Sequence, residues 1–134
     1  MTLAKLKATV ISAEKPEHVT VQHKPIRLEQ GAGFLQVTLE LEATAFQEMT
    51  FGAETKKACI VDLASMVVTA GNRQVRILAN GKDEDSLSTE PKKLMYIYDT
   101  EPKMKWCYVF AIPPDATGLK IQSSQFEALP LTVK

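Results

Sequence analysis

The chain has 134 residues, 45% of them hydrophobic and 24% charged, with sixteen basic side chains set against sixteen acidic ones. That length suits a single domain spanning 1–134, and a chain of this size buries about two-thirds of its unfolded surface. Zero net charge removes any general attraction for nucleic acid or anionic lipid, and no apolar stretch approaches the roughly 18 residues that a transmembrane segment needs.

Met1-Thr2-Leu3-Ala4-Lys5 lacks the apolar run of a secretory signal. The expected location is extracytoplasmic, in the secreted fraction or cell envelope, if an export signal has been removed, and cytoplasmic otherwise. Leu3 to Ser12 reads as a first strand, with Leu6, Ala8 and Val10 alternating against Lys5, Lys7 and Thr9. His18 to His23 reads as a second, Val19 and Val21 against Thr20 and Gln22, with Pro16 and Pro25 bracketing it. Gln30-Gly31-Ala32-Gly33 is a turn. It leads into the most informative run of the chain, Phe34 to Glu42. There Leu35, Val37, Leu39 and Leu41 share one face, and Gln36, Thr38, Glu40 and Glu42 the other. A strict period of two marks a strand with one dry and one wet face.

Phe46, Met49 and Phe51 are expected core contacts in a mixed segment, 43–56. From 56 to 70 two patterns compete. Ile60, Leu63, Ala64 and Val67 fit helical spacing, but the β-branched Ile60, Val61, Val67, Val68 and Thr69 favour two strands, near 57–62 and 66–70. Gly71-Asn72 then tips a hairpin that returns through Arg73 to Leu78. Asn80-Gly81 is a turn dipeptide, and Lys82 to Pro91 is expected to form a long, mobile surface loop. Lys93 to Asp99 is a strand with Leu94, Tyr96 and Tyr98 opposite Met95 and Ile97, and Met104 to Ile112 is its hairpin partner across Thr100-Glu101-Pro102-Lys103. Leu119 to Gln122 and Phe126 to Val133 complete eight or nine short strands, the pattern of an antiparallel sandwich.

Cys59 and Cys107 permit one disulfide at most. With Trp106, Tyr108, Phe110 and Ile112 facing the core, Cys107 points the other way, whereas Cys59 shares the inward parity of Val61 and Leu63. Parity favours two free thiols over a bridge, which needs both sulfurs on one side.

Two segments resemble those of a known family. Gly33-Phe34-Leu35-Gln36-Val37-Thr38-Leu39-Glu40-Leu41 resembles its early strand. Val109-Phe110-Ala111-Ile112-Pro113-Pro114-Asp115-Ala116-Thr117-Gly118-Leu119-Lys120-Ile121 resembles its late signature. The family comprises small immunoglobulin-like sandwich domains of bacterial secreted proteins and lipoproteins, mostly of unknown function, and includes relatives of the mycobacterial secreted immunogenic antigen. Glu42-Ala43-Thr44 stands where its members commonly place Asn. The resemblance implies an all-β, immunoglobulin-like antiparallel two-sheet sandwich and an extracytoplasmic binding or structural module. It supplies no catalytic residues to carry over.

The residues themselves point away from chemistry. His18 and His23, the only histidines, fall on opposite faces of a strand, and the methionines form no compact motif with them, so no metal is expected. Asp83, Glu84 and Asp85 lack the regular spacing of a calcium loop. No serine lies in a Gly-x-Ser-x-Gly elbow, no glycine loop suits a phosphate, and nothing local activates Cys107. No catalytic residue and no cofactor are expected.

Aromatic side chains are the suggestive feature. Trp106 and Phe110 are expected in the core. Tyr96 and Tyr98 suit either the core or an outer face that stacks against a sugar ring or a protein partner. Neighbouring Lys92, Lys93, Lys103 and Lys105 are balanced by Glu90, Asp99 and Glu101, against nucleic acid as a partner. The sequence thus reads as a non-enzymatic binding module, its candidate binding residues being Tyr96, Tyr98, Asp83 and Asp85. Its partner is expected to be a protein or a glycan; the alternative is a carbohydrate- or small-ligand-binding sandwich.

Overall fold

A computed structural model describes residues 3–133; Met1 and Thr2, the start of the stretch read for an export signal, lie outside it. The described chain is all-β. In order come β1 (Leu6–Glu14), β2 (Thr20–Val21), β3 (Lys24–Pro25), β4 (Gly33–Ala43) and β5 (Gln47–Phe51). β6 (Glu54–Asp62), β7 (Val67–Ala70), β8 (Arg73–Gln74) and β9 (Arg76–Gly81) follow. β10 (Leu94–Tyr98), β11 (Lys103–Ile112), β12 (Leu119–Ser123) and β13 (Phe126–Pro130) complete the set. Among the described residues no helix is long and apolar enough to cross a membrane.

Leu35, Val37, Leu39 and Leu41 are fully buried on one face of β4, as the alternation predicts. Their strand is the second of a four-stranded sheet, β1-β4-β11-β9. Two smaller sheets, β10-β6-β5 and β13-β12-β7-β8, complete the main body. They are separate because the extended stretch 54–70 breaks at Leu63–Ser65 into one 3₁₀ turn, so that β6 and β7 join different neighbours. The β-branched cluster prevails over helical spacing here, and strands form where they are expected. Val61, Val68, Ile97 and Ile121 from the small sheets share one core with the β4 leucines and with Trp106, Tyr108 and Phe110. Burying each such side chain stabilises by about 1.5–3 kcal/mol. Phe46 packs half-buried against this core, and Met49 and Phe51 are half-buried too.

The expectation of one wet face fails over the middle of the sheet. Phe34, Ala79, Cys107 and Val109 point away from the main core, yet they are buried in a second one with Val19, Val21 and Leu87. A small β2-β3 hairpin covers that face. Cys107 and Cys59 therefore sit in different cores, and both are free thiols.

Several readings of strands and turns need correcting. His18 to His23 is not one strand: the chain reverses at Gln22-His23, whose φ angles of 53° and 67° are those of a two-residue hairpin turn. The parity argument that separated His18 from His23 therefore does not apply. Met104 to Ile112 is not the hairpin partner of 93–99; β10 pairs with β6 and β11 with β4 and β9. The return strand from Gly71-Asn72 is split, because Arg73-Gln74 pairs with β7 whereas Arg76 onward crosses to β11. Asn80-Gly81 is no turn but the buried end of β9.

The segment after it is also no free loop. Its backbone bridges Asn80 through Ser88, and Leu87 is only 4% exposed. The Asn80 side chain donates to the Lys92 carbonyl (3.0 Å) and accepts from the Lys92 N–H (2.9 Å). One buried amide thereby ties down both ends of the excursion 82–92.

Burial also sets how the fold responds to alkali. Desolvation pushes the Tyr108 phenol far above its ordinary range, with a smaller push from Asp62, and its hydroxyl donates to Met66 Sδ. Burial raises the Cys59 thiol. It raises Cys107 as well, where a Thr38 hydrogen bond opposes it and Glu84 and Asp83 add to it. All three groups hold their protons more tightly folded than unfolded. Their stabilisation is complete below the ordinary thiol value of 9.0 and is lost as pH rises beyond it. The urea midpoint is therefore expected to fall between pH about 8 and about 11, less steeply in Tyr108→Phe. A flat profile in the native chain would refute this.

Candidate functional site

The four residues singled out from sequence do not form one site. Tyr96 and Tyr98 lie on β10, half-buried on the face opposite Ile97, which is 2% exposed and in the core. Of the two placements the sequence allowed, they take the outer one. Phe51 of β5 inserts its ring edge-on against both, at 5.1 Å from Tyr96 and 5.9 Å from Tyr98, and Lys56 Nζ stands 5.1 Å from the Tyr98 ring centre. Asp83 and Asp85 belong to a different region, the 3₁₀ turn beyond β9. There Asp83 Oδ1 accepts the Asp85 N–H at 3.0 Å and caps that turn. Its carboxylate has a local structural role.

A broad concavity lies elsewhere, with a volume of about 920 Å³. One wall is the stretch 26–32, which leaves the small hairpin and belongs to no strand; the other is the run from β8 into β9. Both of these strands stand last in their sheets. The local sequence explains the wall: Val75 is 8% exposed and its N–H donates to the Val68 carbonyl at 2.9 Å. The chain is therefore anchored between β8 and β9, with Arg73 and Arg76 exposed on either side. Half-buried apolar side chains, Ile26, Leu28, Leu78 and Ala111, are part of its lining.

All three arginines of the chain, Arg27, Arg73 and Arg76, line this groove, and among the described residues Glu29 is the only acid in its lining. Among the described residues the one ion pair is Lys56–Glu54, on another sheet, so none of the arginines is neutralised by a carboxylate. An adjoining hollow of about 430 Å³ shares Arg76 and adds Lys92 and Lys93. A concave surface lined by one sign of charge focuses its field outward. A guanidinium presents a planar fork that matches carboxylate or phosphate oxygens two at a time. Among the described residues no three His, Cys, Asp or Glu side chains converge as metal ligands.

Sequence reasoning missed this site because it weighed charge over the whole chain. The available signal was the scarcity of arginine, together with the Arg73-x-x-Arg76 spacing beside a turn. That Arg27 joins them is decided by topology. No family model, curated protein or solved structure matches this chain.

Proposed function

We propose that the chain is a non-enzymatic binding module of the bacterial cell envelope or secreted fraction, built as an immunoglobulin-like sandwich. The observation that carries the reading is the groove beside the open edges of β8 and β9. A strand with a partner on one side only keeps backbone donors and acceptors for another chain. The resemblance of the 33–41 and 109–121 segments to secreted sandwich domains supports the compartment.

A photo-crosslinking residue at exposed Gln74, in the groove, is expected to yield a discrete adduct in the envelope or secreted fraction of source cells. The same residue at exposed Gln122 on β12 is expected to yield none. Identical patterns at the two positions, or recovery of the chain only from cytoplasm, would count against the proposal.

The cluster of Phe51, Tyr96 and Tyr98 favours a second reading, a carbohydrate-binding module that stacks sugar rings on outer aromatic faces. On a glycan array the Tyr96→Ala/Tyr98→Ala variant is then expected to lose signal that the native chain gives. Silence from both proteins would end that alternative.

A further inference from the structure

We infer that the arginine-lined groove takes an extended protein segment bearing aspartate or glutamate side chains. The inference rests on the groove being a binding site and names its ligand. Three separate parts of the chain bring cations there: Arg27 from the unpaired stretch after β3, Arg73 from β8 and Arg76 from β9. With Lys92 and Lys93 in the adjoining hollow, the described residues lining the two include five cations and one acid, Glu29, on a chain whose net charge is zero. Exposed cations gathered on one concave surface raise the local potential for an anionic partner. The exposed guanidinium groups have no carboxylate partner among the described residues.

The remaining walls select the class of anion. Among the described residues no aromatic side chain lines the groove, which gives bases or sugar rings no platform on which to stack. The half-buried Ile26, Leu28, Leu78 and Ala111 of its lining instead offer contacts for aliphatic side chains. The outer edge of β9 is already bridged by Ser88 at Asn80, which leaves Arg73 to Leu78 as the stretch where an incoming strand can align. A peptide added there points alternate side chains to opposite faces. Acidic ones meet the arginine forks and apolar ones meet the aliphatic lining.

The test is fluorescence anisotropy of a labelled decapeptide alternating glutamate and valine, with the full chain, at low and at physiological salt. Binding is expected to weaken as salt rises, and to drop about tenfold or more in Arg27→Gln/Arg73→Gln/Arg76→Gln. The variant Lys7→Gln/Lys103→Gln/Lys120→Gln, with the same change in charge at exposed positions away from the groove, is expected to bind as the native chain does. Equal weakening in both variants, or no peptide binding, overturns the proposal. So does a single-stranded oligonucleotide that binds through the arginines where the peptide does not. A Gln74 cross-link in cells without peptide binding removes the ligand class and keeps the site; failure of both removes the site as well.

Discussion

Replacing Gln125 with leucine is expected to lower the melting temperature by about 10 °C or more, a larger loss than any surface change would give. Gln125 is fully buried, and its amide is satisfied on every side that the structure describes. Oε1 accepts the Asp62 N–H at 2.8 Å, and Nε2 donates to the Ile60 carbonyl at 2.7 Å and the Ala4 carbonyl at 3.0 Å. One side chain thus joins the end of β6 to the segment that enters β1, and the Leu6 N–H donates to the Gln125 carbonyl alongside it. Leucine fills a similar volume but leaves three backbone groups without partners, each costing about 1–3 kcal/mol. Even with partial relaxation the sum is about 3–5 kcal/mol, a large share of the 5–15 kcal/mol typical of a domain.

The glutamate variant separates hydrogen bonding from shape. Ionised, Gln125→Glu keeps the acceptor for Asp62 but sets a negative charge against two carbonyl oxygens. Its buried carboxyl then has a raised folded-state pKa, so the variant's relative stability is best below the unfolded value of about 4.3 and is lost as pH rises past it. A Gln125→Leu chain as stable as the native one, by urea titration, would mean that this seam contributes nothing.

The parts of this fold legible in sequence are those where one physical effect dominates. The leucines of β4 and the large side chains of β11 alternate so strictly that their burial follows from period alone. Competing local signals account for the corrections. Asn80-Gly81 has the composition of a hairpin turn, but Asn80 serves as a buried polar clamp and Gly81 as a point of close backbone approach. Gln22-His23 has no turn signature, yet it reverses the chain because Val19 and Val21 gain burial on the outer face of β11. Sequence adjacency suggests strand neighbours. That fails where the chain crosses between sheets, as between β10 and β11.

The candidate site was hidden for the same reason. Its cations are unremarkable one at a time, and only the crossing from β8 to β9 brings them beside the 26–32 stretch. Asn80 also acts on that groove indirectly. By holding Lys92 it fixes the segment that carries Thr89 and Pro91 into the groove wall.

Gly81→Ala should therefore damage both stability and binding, although Gly81 touches no arginine. A methyl group there would stand 2.4 Å from the Ser86 carbonyl oxygen and 2.7 Å from its carbon. Both are backbone atoms that cannot swing aside. The turn Glu84–Ser86 must lift, and with it Leu87, now 4% exposed in the second core. Overpacking of this kind costs about 1–3 kcal/mol, and partial exposure of a leucine raises the total to about 2–4 kcal/mol. The matching control is Gly71→Ala. Nothing lies within 4 Å of a methyl group at Gly71, and its only penalty is a left-handed φ of 62°, worth about 1–2 kcal/mol. Displacement of the turn should also raise hydrogen exchange across 82–92 and shift the Thr89–Pro91 wall, weakening the acidic peptide in Gly81→Ala but not in Gly71→Ala. Equal melting temperatures and equal exchange in the two variants would show that the contact between β9 and the turn gives way without cost, and that the wall is not held from this side.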